Sequence, residues 1–254
     1  MNETSETRVA VVTGSSRGLG AAMAKRLGRD GFFVVVNYNR SEAEGRAVAD
    51  EIVAGGGRAA LVQGDVSGVA GVDAFLAGVD AALAKNGLPP RFDVLVANAG
   101  TNLAKPFEQT TEEDFDALFN TNVKGVYFLV QRSLPRLRDG GRVITLGSGL
   151  SRVANPVYAP YSATKGAIDV LTRVWAQSLG ARGITVNTIA PGAIDTDMNP
   201  WLRTEAGRAR ASAHAALGRV GEADDIADAV SFLASRDSRW VTAQRIEASG
   251  GFQL

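Results

Sequence analysis

Cysteine is absent from the 254 residues, histidine occurs once, and tyrosine occupies only four positions. Without cysteine the chain has no disulfide, no catalytic thiol and no thiolate metal site, which suits a reducing cytoplasm. The lone His214 excludes a His-rich metal cluster, so no metal is expected. Excess charge of either sign is missing too: Lys+Arg and Asp+Glu both total 27. That balance argues against a general electrostatic grip on nucleic acid or an anionic membrane, while allowing a local basic pocket. Long apolar runs are also lacking, and the opening "MNETSETRVAVVTG" has none of the charged-then-apolar pattern of a secretory signal. The expected setting is cytoplasmic, with a polar, frayed tail over residues 1–7.

What is present is 45% hydrophobic residues, arranged as short apolar runs separated by amphipathic stretches. The runs lie at 8–13, 32–37, 59–63, 93–98, 142–147, 184–190 and, more weakly, 244–248. They are near-continuous rather than alternating, as strands buried on both faces should be. Between them, Leu19, Met23 and Leu27 recur every four residues, and Ile226, Ala229, Val230 and Leu233 follow helical spacing after the acidic "EADD". Repeated strand–helix–strand units predict an α/β fold with a doubly wound, Rossmann-type parallel sheet of about seven strands. Helices on both faces would make three layers, with one domain over residues 8–254. The stretch 191–218 lacks a strand where the rhythm would permit one, and a substrate lid is expected there.

The first strand runs into "TGSSRGLG", Thr13–Gly20, and then a helical pattern. Gly14, Gly18 and Gly20 let the backbone turn sharply and approach a phosphate, and the helix N-terminus offers free N–H groups. At the end of the second strand a carboxylate would favour NAD. This sequence has Asn37, Tyr38, Asn39 and Arg40 instead, with Arg17 in the glycine loop. Two guanidiniums and no carboxylate suit a 2′-phosphate, so NADP(H) is expected over NAD(H).

"TGSSRGLG", "GDV" (64–66), "ANAG" (97–100), "NTNV" (120–123), Ser148, "YSATK" (161–165) and "APG" (190–192) follow one another in order. Together they resemble the short-chain dehydrogenase/reductase family from about residue 8 onward. The style is similar to its ketoacyl reductases, carbonyl reductases and sugar dehydrogenases. The resemblance implies a cofactor cleft with Ser16 and Leu19 in the glycine loop and Asp65 and Val66 beside the adenine. It implies Asn98, Ala99 and Gly100 behind the fourth strand, and Pro191, Gly192, Ile194 and Thr196 at the nicotinamide end. It also implies a homotetramer, with a dimer as the alternative. Ala97 and Ala243 depart from the family's usual Asn and Gly.

Tyr161 and Lys165 stand four residues apart, so both project from one face of a helix. A free phenol titrates near pH 10, and a neighbouring ammonium would bring it closer to neutrality. Tyr161 could then give a proton to the alkoxide formed from a ketone, or take one from an alcohol. Ser148, after the fifth strand, would orient the substrate oxygen. Asn122 falls on the apolar stripe of a helix, where a buried amide needs its hydrogen bonds met. The family resemblance meets them through a water linked to Lys165, and has Lys165 hold the nicotinamide ribose. Tyr158 is expected at the substrate entrance and His214 at the surface. Met198, Trp201 and Leu202 would form either an apolar substrate wall or core packing. Arg132, Arg136, Arg138 and Arg173 are candidates for docking an acidic acyl-carrier protein, or else are solvated helix charges.

The expected activity is hydride transfer between NADP(H) and a small-molecule ketone or 3-oxoacyl group, with Tyr161 as proton carrier. A sugar or polyol dehydrogenase using either nucleotide is the alternative. A non-catalytic NADP(H) sensor is the alternative of another class, which the presence of Asn122, Ser148, Tyr161 and Lys165 disfavours.

Overall fold

The computed structural model describes residues 6–253. Seven parallel strands form one sheet in the order β3-β2-β1-β4-β5-β6-β7. They are β1 (Val9–Val12), β2 (Phe33–Tyr38), β3 (Arg58–Gln63), β4 (Phe92–Ala97), β5 (Leu137–Leu146), β6 (Thr185–Pro191) and β7 (Arg245–Ala248). The chain leaves β1 in one direction to build β2 and β3, then returns to place β4 on its other side. The crevice between β1 and β4 is therefore the topological switch point, where ligands of such sheets collect.

Both sheet faces are covered, which explains the unbroken apolar runs. Val9 and Val11 point into one core with Phe75, Leu129 and Ile168, and Ala10 and Val12 into the other with Met23, Leu27, Ile226 and Val230. The first layer holds α3 (Val69–Lys85), α5 (Val126–Ser133) and α6 (Ala159–Leu179); the second holds α1 (Gly18–Arg29), α2 (Glu42–Ala54) and α8 (Ala223–Ala234). Phe33, Phe75 and Phe92 are each buried to 1% exposure or less, and each such side chain stabilises the fold by about 1.5–3 kcal/mol.

Two elements start differently from the sequence expectation. β5 begins at Leu137 rather than 142, because Leu137 pairs with Phe92 before the register shifts and resumes at Arg142 opposite Val94. Gly140, at φ +74°, sits in that irregular stretch. Between α4 (Glu112–Phe119) and α5 the helical path widens into a π-turn over Asn120–Gly125. Such turns put an extra residue into a helix and frequently mark functional sites.

The segment between β6 and α8 carries a 3₁₀ turn over Pro200–Arg203 and α7 (Glu205–His214). It is tied down at two bridges, Ile194 to Gly221 and Ala215 to Phe252. Of the tail expected over residues 1–7, residues 1–5 lie outside the described residues. Glu6 pairs with Arg138, and Thr7 accepts a bond from Arg58 at 3.4 Å.

Candidate active site

The glycine loop is held by groups from three neighbouring strands. Asn37, buried at the end of β2, accepts from the Gly14 N–H at 2.9 Å and donates to the Gly64 carbonyl at 3.1 Å. The Thr13 hydroxyl accepts from the N–H groups of Asn98 and Ala99, each at 3.1 Å. Asn98 returns the contact by donating to the carbonyls of Thr13 (2.8 Å) and Gly14 (3.1 Å). Gly14, at φ +62°, packs so tightly that an added Cβ would lie 2.9 Å from the Ala99 Cα. At Gly20 an added Cβ would lie 2.2 Å from the Gly14 carbonyl oxygen.

This cradle fits a dinucleotide. The first turn of α1 has neither a side-chain cap nor an acidic residue, which leaves its N–H groups and positive dipole end for a pyrophosphate. Ser16 and Arg17 lie on the open side of the loop, and Leu19 and Thr196 line the cleft beside it. Asn39 and Arg40 are exposed past β2. Asp65 follows β3, and its carboxyl is held below the usual range by Ser67 above all, with smaller contributions from Asn39 and Arg40. Val66 is buried next to it. Neither Arg17 nor Arg40 forms an ion pair within 4.0 Å among the described residues.

Beyond the loop, the C-terminal ends of β4, β5 and β6 open into a cleft of about 690 Å³. Asn98, Gly100, Ser148, Tyr158, Tyr161, Lys165, Pro191, Gly192 and Ile194 all line it. Ser148 follows the end of β5, and its hydroxyl accepts from the Leu150 N–H at 3.2 Å. Tyr161 and Lys165 come from the first turns of α6, with the Lys165 Nζ 5.6 Å from the Tyr161 ring centroid. Nζ donates to the Leu146 carbonyl at 2.8 Å.

Burial dominates the electrostatics of both groups. Burial pushes Tyr161 up to about 12, opposed by a hydrogen bond with Ser148. Burial also pushes Lys165 down to about 8, opposed by the negative charge of Asp169. Both shifts follow from desolvation, which disfavours the charged form of a buried group. The Asn122 amide finds partners on the loop after β4 and on α6. Its Oδ1 accepts from the Thr101 N–H at 2.9 Å, and its Nδ2 donates to the Thr101 carbonyl (2.8 Å) and the Thr164 hydroxyl (3.2 Å). The amide thus braces the loop after β4 against α6.

A family model described as enoyl-(acyl carrier protein) reductase matches residues 14–253. An uncharacterized oxidoreductase of Methylorubrum extorquens is 43% identical over 248 residues, covering 97% of this chain and 98% of the relative. The chain belongs to the short-chain dehydrogenase/reductase family. It is accordingly an NAD(P)-dependent oxidoreductase acting between carbonyl and alcohol. The 3-oxoacyl-(acyl-carrier-protein) reductase of Staphylococcus aureus is 36% identical over 250 residues, covering 98% of this chain and 99% of the relative. The crystal structure of the landomycin C-6 ketoreductase LanV with bound NADP and rabelomycin matches with a TM-score of 0.91 at 38% identity, covering 98% of this chain and 97% of that one.

In this short-chain reductase the outer cleft is walled by apolar and aromatic groups. Tyr158 stacks edge-on to Tyr161 with centroids 6.2 Å apart, and Leu150, Val153, Val157, Met198, Trp201 and Phe252 continue the wall. Leu202 is not part of it: fully buried, it packs with Ala211 and Val220. His214 is exposed, as expected of a surface histidine, and it also lines the cleft, as does Arg210 one turn earlier on α7. The i, i+4 spacing of these two was the available signal. Phe252 had none, because the C-terminus reaches the cleft only through tertiary contacts such as the Gln253 N–H to the His214 carbonyl, 2.9 Å. Arg136 and Arg138 flank the first residue of β5, at the sheet end opposite the cleft, where Arg136 pairs with Asp80 and Arg138 with Glu6. Arg132 pairs with Asp73 at 3.5 Å. That pairing favours the structural reading of these arginines over carrier-protein docking.

Proposed function

We propose that the chain is an NADPH-dependent reductase of small apolar or aromatic ketones, in which Tyr161 supplies the proton. The observation that carries the reading is the cluster of Ser148, Tyr161 and Lys165 beside a glycine-loop cradle and under an apolar wall. NADPH, when bound, supplies the hydride to the carbonyl carbon.

With burial pushing its phenol up, Tyr161 holds its proton for donation to the developing alkoxide. Ser148, which lines the cleft together with the phenol, holds the substrate oxygen toward it. Lys165 stabilises the phenolate as the proton leaves and holds the nicotinamide ribose. Asn122 fixes the Thr101 loop against α6 so that these groups keep their spacing. Asn39, Asp65, Val66, Ala99, Gly100, Pro191, Gly192, Ile194 and Thr196 line the rest of the cofactor's path.

An aromatic outer wall suits a planar ketone or an acyl chain better than a sugar, which needs many more polar partners. LanV, crystallised with NADP and rabelomycin, and the 3-oxoacyl reductase support the same class. The reading includes a cytoplasmic setting. No described helix is long and apolar enough to cross a membrane. It also includes a homotetramer, supported by two exposed apolar faces. Tyr127, Val170 and Val174 mark one, and Phe232 and Trp240 the other.

Arg17 and Arg40 are the proposed readers of the 2′-phosphate. Each charge-assisted contact contributes about 1.5–3 kcal/mol. Replacing both with alanine is therefore expected to raise KM for NADPH by at least about tenfold and leave that for NADH within about twofold. Initial rates at the reduced-nicotinamide absorbance, with a bicyclic aryl ketone, check this. A wild-type preference for NADH would overturn the cofactor assignment.

A further inference from the structure

Beneath the reactive pair lies a network of charges that proton and hydride transfer leave unused. Asp169 sits on α6 one turn beyond Lys165, and Arg245 opens β7, 76 residues away. The Arg245 Nε donates to Asp169 Oδ2 at 3.1 Å, and its Nη2 donates to the main-chain carbonyl of Ser148 at 2.9 Å. The Ser151 hydroxyl donates to the same carboxylate oxygen at 2.6 Å. Glu247 accepts from Arg245 at 3.2 Å and from Arg152 at 2.9 Å. Arg152 in turn donates to the carbonyls of Phe252 and Gln253, at 3.1 and 2.9 Å.

The second Asp169 oxygen is the odd one. Oδ1 is buried with no hydrogen-bond partner among the described residues, and it lies under the turn that carries Ser148, where a Cβ on Gly147 would be 3.3 Å from it. A buried carboxylate oxygen left without a partner is costly, and an apolar side chain would fill the space at less expense. Its charge reaches Lys165, whose proton it helps to retain.

We propose that Asp169 and Arg245 are positioning residues for the reaction. Asp169 keeps Lys165 in its charged form. Arg245 grips Asp169 and the Ser148 carbonyl together, and so limits how much of that negative charge the lysine feels. This inference rests on the roles proposed for Tyr161 and Lys165. Around the lysine, α6 brings Tyr161 and Asp169, the loop after β5 brings Arg152, and β7 brings Arg245 and Glu247. On the other elements packed against α6, Glu112, Glu113, Asp116 and Lys124 are exposed, and Asp114 is paired with Lys105.

The test is the pH profile of kcat for NADPH-dependent ketone reduction in Asp169→Asn and Arg245→Gln, from about pH 6 to about pH 10. Removing a nearby negative charge weakens proton binding at Lys165 and Tyr161 alike, and removing a positive one strengthens it. The alkaline limb is therefore expected to move down by about half a unit or more in Asp169→Asn and up in Arg245→Gln. Lost stability alone would lower the amplitude of both profiles and leave the limbs where they are. Limbs that stay in place, or move in the same direction, overturn the proposal. If Asp169→Asn does not fold, Arg245→Gln decides alone, by an upward shift or none. Tyr161→Phe is assayed alongside. Turnover in that variant would defeat the reading of the reaction, whereas an inactive Tyr161→Phe with unmoved limbs defeats only this proposal.

Discussion

Tyr161→Phe is expected to lower kcat by about 10²–10⁴-fold while NADPH affinity stays within about threefold of wild type. Phenylalanine keeps the ring, its burial and the edge-on packing against Tyr158, so the variant deletes one oxygen and its proton. General acid catalysis contributes about 10²–10⁴-fold in rate, and without it the alkoxide must draw its proton from water. Stopped-flow rates with NADPH and nucleotide titration by fluorescence separate the two quantities. Equal losses in rate and in nucleotide affinity would point to a collapsed cleft, and retained turnover would assign the proton to another group. The direction of the Tyr161 shift adds a pH expectation. With the phenol pushed up to about 12, reduction finds Tyr161 protonated throughout the neutral range, whereas alcohol oxidation, which needs the phenolate, is expected to rise with pH.

Gly20→Ala is expected to abolish nucleotide binding at ordinary concentrations and to lower stability by about 1–3 kcal/mol. The added methyl would meet the Gly14 carbonyl oxygen at 2.2 Å, the Asn98 Nδ2 at 2.6 Å and the Ser15 Cα at 2.8 Å. Two of these are backbone atoms of the loop itself, and the third is the amide that donates to the Thr13 and Gly14 carbonyls. Relief requires either the helix to lift or the loop to open, and both displace the N–H groups that would hold the pyrophosphate. Calorimetric titration with NADPH and thermal denaturation of the same sample check the two effects together. Tight binding with a lowered melting point would mean that the cofactor is held elsewhere.

How far the sequence disclosed this molecule depended on whether each signal was local. Strands buried on both faces need apolar residues at every position, so β1, β2 and β4 stood out as unbroken runs. The glycine loop and the Tyr161–Lys165 spacing were legible because each is fixed within eight residues or fewer. The start of β5 was not, because its first pairing is interrupted by a register shift at Arg138–Gly141 that breaks the apolar run. The π-turn at Asn122 leaves the surrounding apolar stripe intact, so it reads as ordinary α-helix. Sequence places Lys165 beside Tyr161 but gives no measure of burial, which is the largest influence on the phenol. Asp169 with Arg245, and Phe252 with His214, meet only after the sheet has brought distant segments together.

The family model's description names an enoyl reductase, whereas the proposed mechanism delivers the hydride to a carbonyl carbon. The most direct test is to supply NADPH carrying deuterium at the transferred C4 position, together with a cyclic α,β-unsaturated ketone, and to locate the label in the product. Deuterium at the carbinol carbon of an allylic alcohol, with the double bond intact, is the predicted result. Deuterium at the β-carbon of a saturated ketone would contradict it.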